Sequence, residues 1–353
     1  MEQFEFFYEK KIKKFPYIDR KTSIDEKSNY ILTGVKFSGK TSLIKDYLYR
    51  SKKEYLYINL DDLRVDKKSL EKNLQKFIDE KKIEILALDN FDNSIKLPKA
   101  RQIILSSQKD IDIENFKKIR LNLLDFEEYI AFDRSSDIKI VFNNFLKNGS
   151  FPEIPQTPDF KKEDRFFEIL NLTFSKEELQ IIKEIANFQG HKSSAYHIYT
   201  KLKQKMKISK DKFYHIFEEL KEKGYFYTLQ KYKHPNASKK IYLYDFSIKS
   251  YLSISKEFPK IFENLLFLEL KDKEIFYIEP LGFYIVNEKK IILPIPFGNE
   301  VRIQNQIDKV LKKNRLDIEK IEVVTVGSSF KYEIDKIYCE ILPFYEWALS
   351  KFE

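Results

Sequence analysis

Tyr30-Ile31-Leu32-Thr33-Gly34-Val35-Lys36-Phe37-Ser38-Gly39-Lys40-Thr41-Ser42-Leu43-Ile44 decides how this chain is to be understood. From Gly34 to Thr41 it satisfies the pattern G-x-x-x-x-G-K-[ST] at every fixed position, after a short apolar run and before an amphipathic one. Glycines at both ends let the backbone curl so that successive N–H groups point inward at an anion. The start of the next helix adds its positive end. In such a loop Lys40 reaches the outer phosphates of a nucleotide and the Thr41 hydroxyl ligates Mg²⁺. The expected binding set is Gly34, Val35, Lys36, Phe37, Ser38, Gly39, Lys40, Thr41 and Ser42, with ATP and Mg²⁺ as the expected cofactors.

Working outward, residues 4–12 have a helical pattern and residues 55–60 alternate as a strand does. Residues 70–77 are again helical, and 83–88 and 102–105 are almost continuously apolar. Short apolar runs separated by helical stretches predict α/β units around a buried parallel sheet, over about residues 25–125. The apolar run Ile85-Leu86-Ala87-Leu88 ends in Asp89, the expected acidic partner of Thr41 at Mg²⁺. Asn90 comes next, where a glutamate would polarise an attacking water; an amide orients water but does not take its proton. Asp92 is a substitute base if its loop turns inward. Lys40, Asp89, Asn90 and Asp92 are therefore the candidate catalytic residues. Ser106 and Ser107, ending the next apolar run, are candidate sensors of the terminal phosphate. Arg120 and Arg134 are candidates for an arginine finger acting across an oligomer.

The remainder divides by pattern. Residues 126–151 are helical and lead through a proline-bearing connection into three helical segments at 178–188, 195–205 and 210–223. Two alternating strands, 225–232 and 240–246, complete a winged-helix pattern. Lys210 and Lys212 on its third helix and Lys231, Lys233, Lys239 and Lys240 around its ribbon are candidate contacts to the phosphates of double-stranded DNA. Short strands at 275–278, 283–286, 291–295 and 322–326, with a helix at 302–311, predict a small α/β tail. The expected division is 1–125 core, 126–170 helical lid and connection, 171–252 winged helix and 253–353 tail.

Composition bounds the rest. The chain has 353 residues, 64 lysines and arginines against 55 acids, a net charge of +9 and one cysteine. That excludes a disulfide scaffold, and with no apolar run of membrane-spanning length or signal peptide it predicts a cytoplasmic, membrane-free protein. The basicity accompanies abundant Lys, Ile, Phe, Tyr and Asn with few glycines, a bias of coding composition as much as a binding signal. The four histidines show no metal-ligand spacing with Cys339.

The order of motifs resembles prokaryotic AAA-type ATPases in which a P-loop core precedes a winged helix and a restriction-endonuclease-like tail. The resemblance rests on GVKFSGKTSLI (34–44), LALDNF (86–91), IILSSQ (103–108), LLDFEEYI (123–130) and FLKNGSFPEI (145–154). It implies an ATPase with an α/β core, a helical lid and a winged helix. In the tail of that family a helix bearing Glu precedes strands carrying Glu-x-Asp-Phe and a Gln/Glu-x-Lys-like motif. This chain has Glu263 on the helix, but Gly282 at the Asp position and Ile291-Ile292-Leu293-Pro294-Ile295-Pro296 in place of the last motif. One carboxylate does not build a two-carboxylate, lysine-assisted metal site, so the tail is expected to be a degenerate nuclease fold. The resulting expectation is a slow ATP hydrolase or nucleotide switch acting on DNA or a protein partner, itself included. The competing expectations are an ATP-holding signalling scaffold, suggested by Asn90, and more remotely a small-molecule P-loop kinase.

Overall fold

Apolar strands buried on both faces need a helix layer on each, and the first 123 residues supply both. The computed structural model describes residues 2–255, 257–314, 316–334 and 337–350. The chain separates into two compact units, Met1–Leu123 and Leu124–Glu353. In the first, α1 (Glu2–Glu9), β1 (Asn29–Thr33), α2 (Lys40–Arg50), β2 (Tyr55–Asn59), α3 (Lys67–Lys81), β3 (Ile85–Asp89), β4 (Gln102–Ser106) and β5 (Phe116–Arg120) follow in order. The five strands form one parallel sheet in the order β2-β3-β4-β1-β5.

Alternation along each strand divides the core in two. Leu86 and Leu88 of β3 join Leu56, Leu105, Phe77 of α3 and Phe4 of α1 on one face. Ile85 and Ala87 join Tyr30, Leu32, Ile104 and Leu43, Ile44 and Leu48 of α2 on the other. Parallel pairing places the carboxyl ends of the strands together: Leu32 lies opposite Ser106, Thr33 opposite Arg120 and Asn59 opposite Asp89. Everything polar at those ends is thus delivered to one edge.

The second unit begins with α4 (Phe126–Phe132), α5 (Ile138–Asn148), α6 (Lys162–Thr173) and α7 (Lys176–Ala186), then β6 (Lys192–Ser193), α8 (Ala195–Lys203) and α9 (Lys210–Glu222). Next come β7 (Phe226–Leu229), β8 (Lys239–Leu243), α10 (Ile248–Leu252) and α11 (Phe258–Leu270). The remaining elements are β9 (Ile275–Tyr277), β10 (Phe283–Ile285), β11 (Lys290–Pro294), α12 (Glu300–Lys313), β12 (Lys320–Thr325), β13 (Phe330–Ile334), β14 (Ile337–Pro343) and α13 (Phe344–Leu349). Strands β6, β8 and β7 form a small antiparallel sheet beside α7, α8 and α9. The other six form a mixed sheet, β13-β14-β12-β11-β10-β9, on which Ile303, Ile307 and Val310 of α12 are buried.

The helical stretch after residue 125 is tied to the later elements of its unit. Ser150 donates its N–H and hydroxyl to the buried Asp245 carboxylate, both at 2.7 Å. Phe344 of α13 stacks on Phe142 at 5.1 Å and meets Phe126 edge-on at 5.5 Å. Trp347 of α13 donates to Glu322 of β12 at 2.8 Å, so α13 joins α4 and α5 to the six-stranded sheet.

Candidate functional site

Gly39 takes a left-handed φ of 99° immediately before α2 and offers no side-chain cap, so the first N–H groups of the helix have no capping acceptor from it. Gly34 is held at φ 136°; a Cβ there would stand 2.3 Å from the Leu121 carbonyl oxygen, which leaves glycine as the residue that fits. Between them Phe37 is also left-handed, at φ 61°, a conformation costly for a bulky side chain. The Ser38 hydroxyl is buried and makes no hydrogen bond. A curled backbone with an orphaned buried hydroxyl and an uncapped helix start fits a ligand rich in oxygen acceptors.

Lys40 is 7% exposed, and its ammonium donates to the Gly34 and Val35 carbonyls, both at 2.8 Å. Burial pushes its pKa down to about 8, with Asp89 opposing the shift. Thr41 donates its hydroxyl to Asp89 Oδ2 at 2.7 Å, which brings together the two groups assigned to Mg²⁺ from sequence. Both are hard oxygen donors suited to that ion. Val35, Lys36 and Ser42 complete the loop, Ser42 on its exposed side.

Asp89 has two further partners. Ser106 donates to Oδ1 and Tyr57 donates to Oδ2 at 2.8 Å. Three hydroxyls thus fix one carboxylate at the end of β3. Burial, followed by the Asp89 charge, raises the Tyr57 pKa, so the phenol remains a donor. Asn90, left-handed at φ 59°, donates its N–H to Ser106 Oγ at 3.0 Å and its side-chain amide to Asn59 Oδ1 at 2.9 Å.

The other expected site residues scatter. Asp92 forms an ion pair with Lys67 at 2.8 Å and accepts from the Ser94 N–H at 3.1 Å, so its carboxylate is engaged away from Asp89. Of the two serines, Ser106 reaches Asp89, whereas Ser107 Oγ accepts the Lys109 N–H at 3.1 Å. Arg120 is exposed at the end of the edge strand β5, and Arg134 is exposed beyond α4 in the second unit. Sequence patterning passed over Tyr57, Asn59 and Arg20. The first two carried a signal in retrospect, as polar groups on a strand that pairs in register with β3. Arg20 carried none, being one charge among many in a segment without regular structure.

In the second unit the lysines differ in circumstance. Lys212 pairs with Glu177 at 2.6 Å and Lys231 with Glu279 at 3.1 Å. Lys210 lies over the Tyr214 ring and Lys233 over Tyr232, while Lys239 opens β8. Lys240 leaves the candidate set. It is 6% exposed and pairs with the buried Glu263 at 2.5 Å, because its neighbours on β8 carry it beneath α11. Glu263 also accepts from Tyr242 at 2.8 Å and pairs with Lys260 at 3.1 Å. Burial opposes its charge, but these two lysines hold its carboxyl below the ordinary range. Gly282, at φ 114°, would place a Cβ 2.8 Å from the Ile292 carbonyl oxygen. Among the described residues no group of three or more His, Cys, Asp or Glu side chains could hold a metal, and no helix is long and apolar enough to cross a membrane.

Comparison with known proteins adds a family match to this geometry. An uncharacterized protein of Methanocaldococcus jannaschii is 24% identical over 393 residues, an alignment covering 91% of this chain and 88% of the relative. A Walker-type ATPase of Pyrococcus abyssi matches with a TM-score of 0.41 and 15% identity, over 64% of this chain and 90% of its own. The Aeropyrum pernix Orc1 protein in complex with DNA matches with a TM-score of 0.34 and 12% identity, over 64% and 86%. Residues 26–114 match the family model of an AAA domain. That span contains the loop, Lys40, Thr41 and Asp89, and the chain accordingly carries an AAA-type, P-loop ATPase-like domain.

Proposed function

We propose that the first unit binds ATP with Mg²⁺ at the loop from Gly34 to Ser42 and hydrolyses it slowly, working as a nucleotide switch. The contact between Thr41 and Asp89 carries this reading, since it gathers two oxygen donors where the ion would sit. Lys40 would exchange two carbonyls for phosphate oxygens, and the first N–H groups of α2 would receive the phosphate chain. The ion would neutralise charge developing on the transferred phosphoryl group. Ser106 and Tyr57 orient Asp89 for that task. Asn90 is the reason for slowness: it can hold a water but not accept its proton.

A purified-protein assay tests this by nucleotide titration together with phosphate release. ATP binding lost in Lys40→Ala, and turnover lost in Lys40→Ala and Asp89→Ala, are the expected results. An absence of ATP binding by the unaltered chain would refute the proposal. Tight binding without release above background would instead favour an ATP-holding scaffold, the reading that Asn90 also suits.

For the second unit we propose a winged helix built from α7, α8, α9 and the β6-β8-β7 sheet, followed by a nuclease-like fold without nuclease chemistry. Support for the latter comes from Glu263, committed to Lys240 and Lys260, and Gly282, where backbone leaves no room for a carboxylate. Double-stranded DNA is the partner proposed for the winged helix, through Lys210, Lys212, Lys231, Lys233 and Lys239. A protein partner of the winged helix is the alternative, in a cytoplasmic setting, and in an oligomer Arg120 or Arg134 would be the arginine finger offered to a second copy of the chain. ATPase rates with and without duplex DNA, and size in solution with ATP, separate them.

A further inference from the structure

Arg20 lies 14 residues before Gly34 in a segment without helix or strand, yet its guanidinium is at the phosphate loop. One terminal nitrogen donates to the Ser38 carbonyl at 2.7 Å, and the other to the Asn122 carbonyl at 3.0 Å. The first of these nitrogens is 3.4 Å from where a Cβ on Gly39 would stand. The guanidinium therefore bridges the crown of the loop to the strand-exit segment Leu121–Asn122. A second link joins the same two places without Arg20. Leu121 donates its N–H to Thr33 at 2.8 Å, and its carbonyl oxygen is the atom that leaves Gly34 no room for a side chain. Residues 121–123 are the last of the first unit before the chain passes to the second.

We propose that Arg20 is a positioning residue for nucleotide binding, and that its fork couples occupancy of the phosphate loop to the conformation of residues 121–123. This rests on the loop being a nucleotide site. The rigid, planar fork matters because it spans two carbonyls belonging to different segments; a lysine supplies the charge but grips at a single point. Peptide carbonyls cannot be retuned by side-chain substitution, so Arg20 is the one replaceable member of the bridge. Whatever the loop gains by gripping phosphates in one shape, the exit segment gains by being held in the matching shape, because coupling between two sites is reciprocal. The charge itself, placed against the loop, adds attraction for a polyanion.

The test combines ATP titration with hydrogen exchange on the full chain, with Mg²⁺ throughout. In the unaltered protein, saturating ATP should slow exchange in peptides covering 34–42 and 119–124 together. Arg20→Ala should weaken ATP binding about tenfold, within the range of ordinary coupling between sites. At saturating ATP it should still protect 34–42 but leave 119–124 unchanged. Arg20→Lys should bind ATP within about threefold of the parent, since the charge remains, yet lose the response of 119–124. Thermal melts check that each variant is folded, and the lysine variant decides the matter if the alanine variant is not. Variants that bind ATP and protect 119–124 as the parent does would overturn the proposal while leaving nucleotide binding intact. Failure of the parent to bind ATP would instead overturn the underlying assignment of the loop.

Discussion

Lys40 makes nucleotide affinity a function of pH, with a sign and a size set by its burial. Its ammonium is held at about 8, against an ordinary 10.5, chiefly by desolvation. At pH 7 about nine loops in ten carry the charged lysine, and at pH 9 about one in ten. A phosphate chain favours the charged form, so the bound state has the higher pKa and binding above pH 8 takes up a proton. Affinity should be full below about pH 8 and fall as pH rises through it, by about tenfold between pH 7 and pH 9, or ~1.4 kcal/mol. The free protein should show the opposite trend. A lysine whose pKa is depressed on folding makes the folded state more stable as pH rises from about 8 toward 10.5, because the unfolded chain then binds more protons. Fluorescent-nucleotide titration at half-unit steps between pH 7 and 9.5, with Mg²⁺ in excess, gives the first slope, and thermal melts give the second. Lys40→Arg, charged throughout, should bind with a flat profile whatever its absolute affinity. An affinity constant within about twofold across that range, or the same slope in Lys40→Arg, would refute the reasoning.

Three other substitutions probe separate parts of the chain. Asn90→Glu should raise steady-state phosphate release, because it supplies a proton acceptor where an amide now stands, and an unchanged rate would remove Asn90 as the cause of slow turnover. Glu263→Gln leaves the buried ammonium of Lys240 without its carboxylate and should cost about 3–5 kcal/mol in denaturant unfolding of the second unit; a loss below about 1 kcal/mol would mean the pair is not desolvated. Gly282→Asp should lower the melting temperature without creating Mg²⁺-dependent DNA cleavage, since the new side chain meets the Ile292 carbonyl. Cleavage by that variant would contradict the account of the tail.

The loop, its flanking strand and helix, and Asp89 were legible because their physics is local: two glycines, a lysine and a threonine at fixed spacing, and an acid ending an apolar run. Tyr57 and Asn59 were not, because they reach Asp89 and Asn90 through register between strands, and register is a property of pairing. Strand β5 also escaped notice. Phe116-Lys117-Lys118-Ile119-Arg120 lies at the sheet edge with its lysines exposed, so no apolar run announces it. Lys240 shows the converse error. Among so many surface lysines it looked like another one, and only the fold brings Glu263, 23 positions later, to its side. The lysines of the third helix and the ribbon could be counted, but the engagement of Lys212 with Glu177 and of Lys231 with Glu279 depends on tertiary placement.

Phe344 and Trp347 have a kinetic consequence. The ring of Phe344 packs against both Phe126 and Phe142, which lie far earlier in the chain, and Trp347 closes onto Glu322. Loops of that length close slowly, and contacts so distant form late. During synthesis the first unit, whose strands and helices alternate locally, can condense while the aromatic faces of α4 and α5 still wait for their cover. For the time needed to add roughly two hundred residues, about 10–40 s at ordinary elongation rates, the newborn chain has Phe126 and Phe142 without the ring of Phe344 against them. A growing chain in that interval is open to capture by a chaperone or by the wrong copy of α13, and the arrival of residues 344–349 ends the exposure.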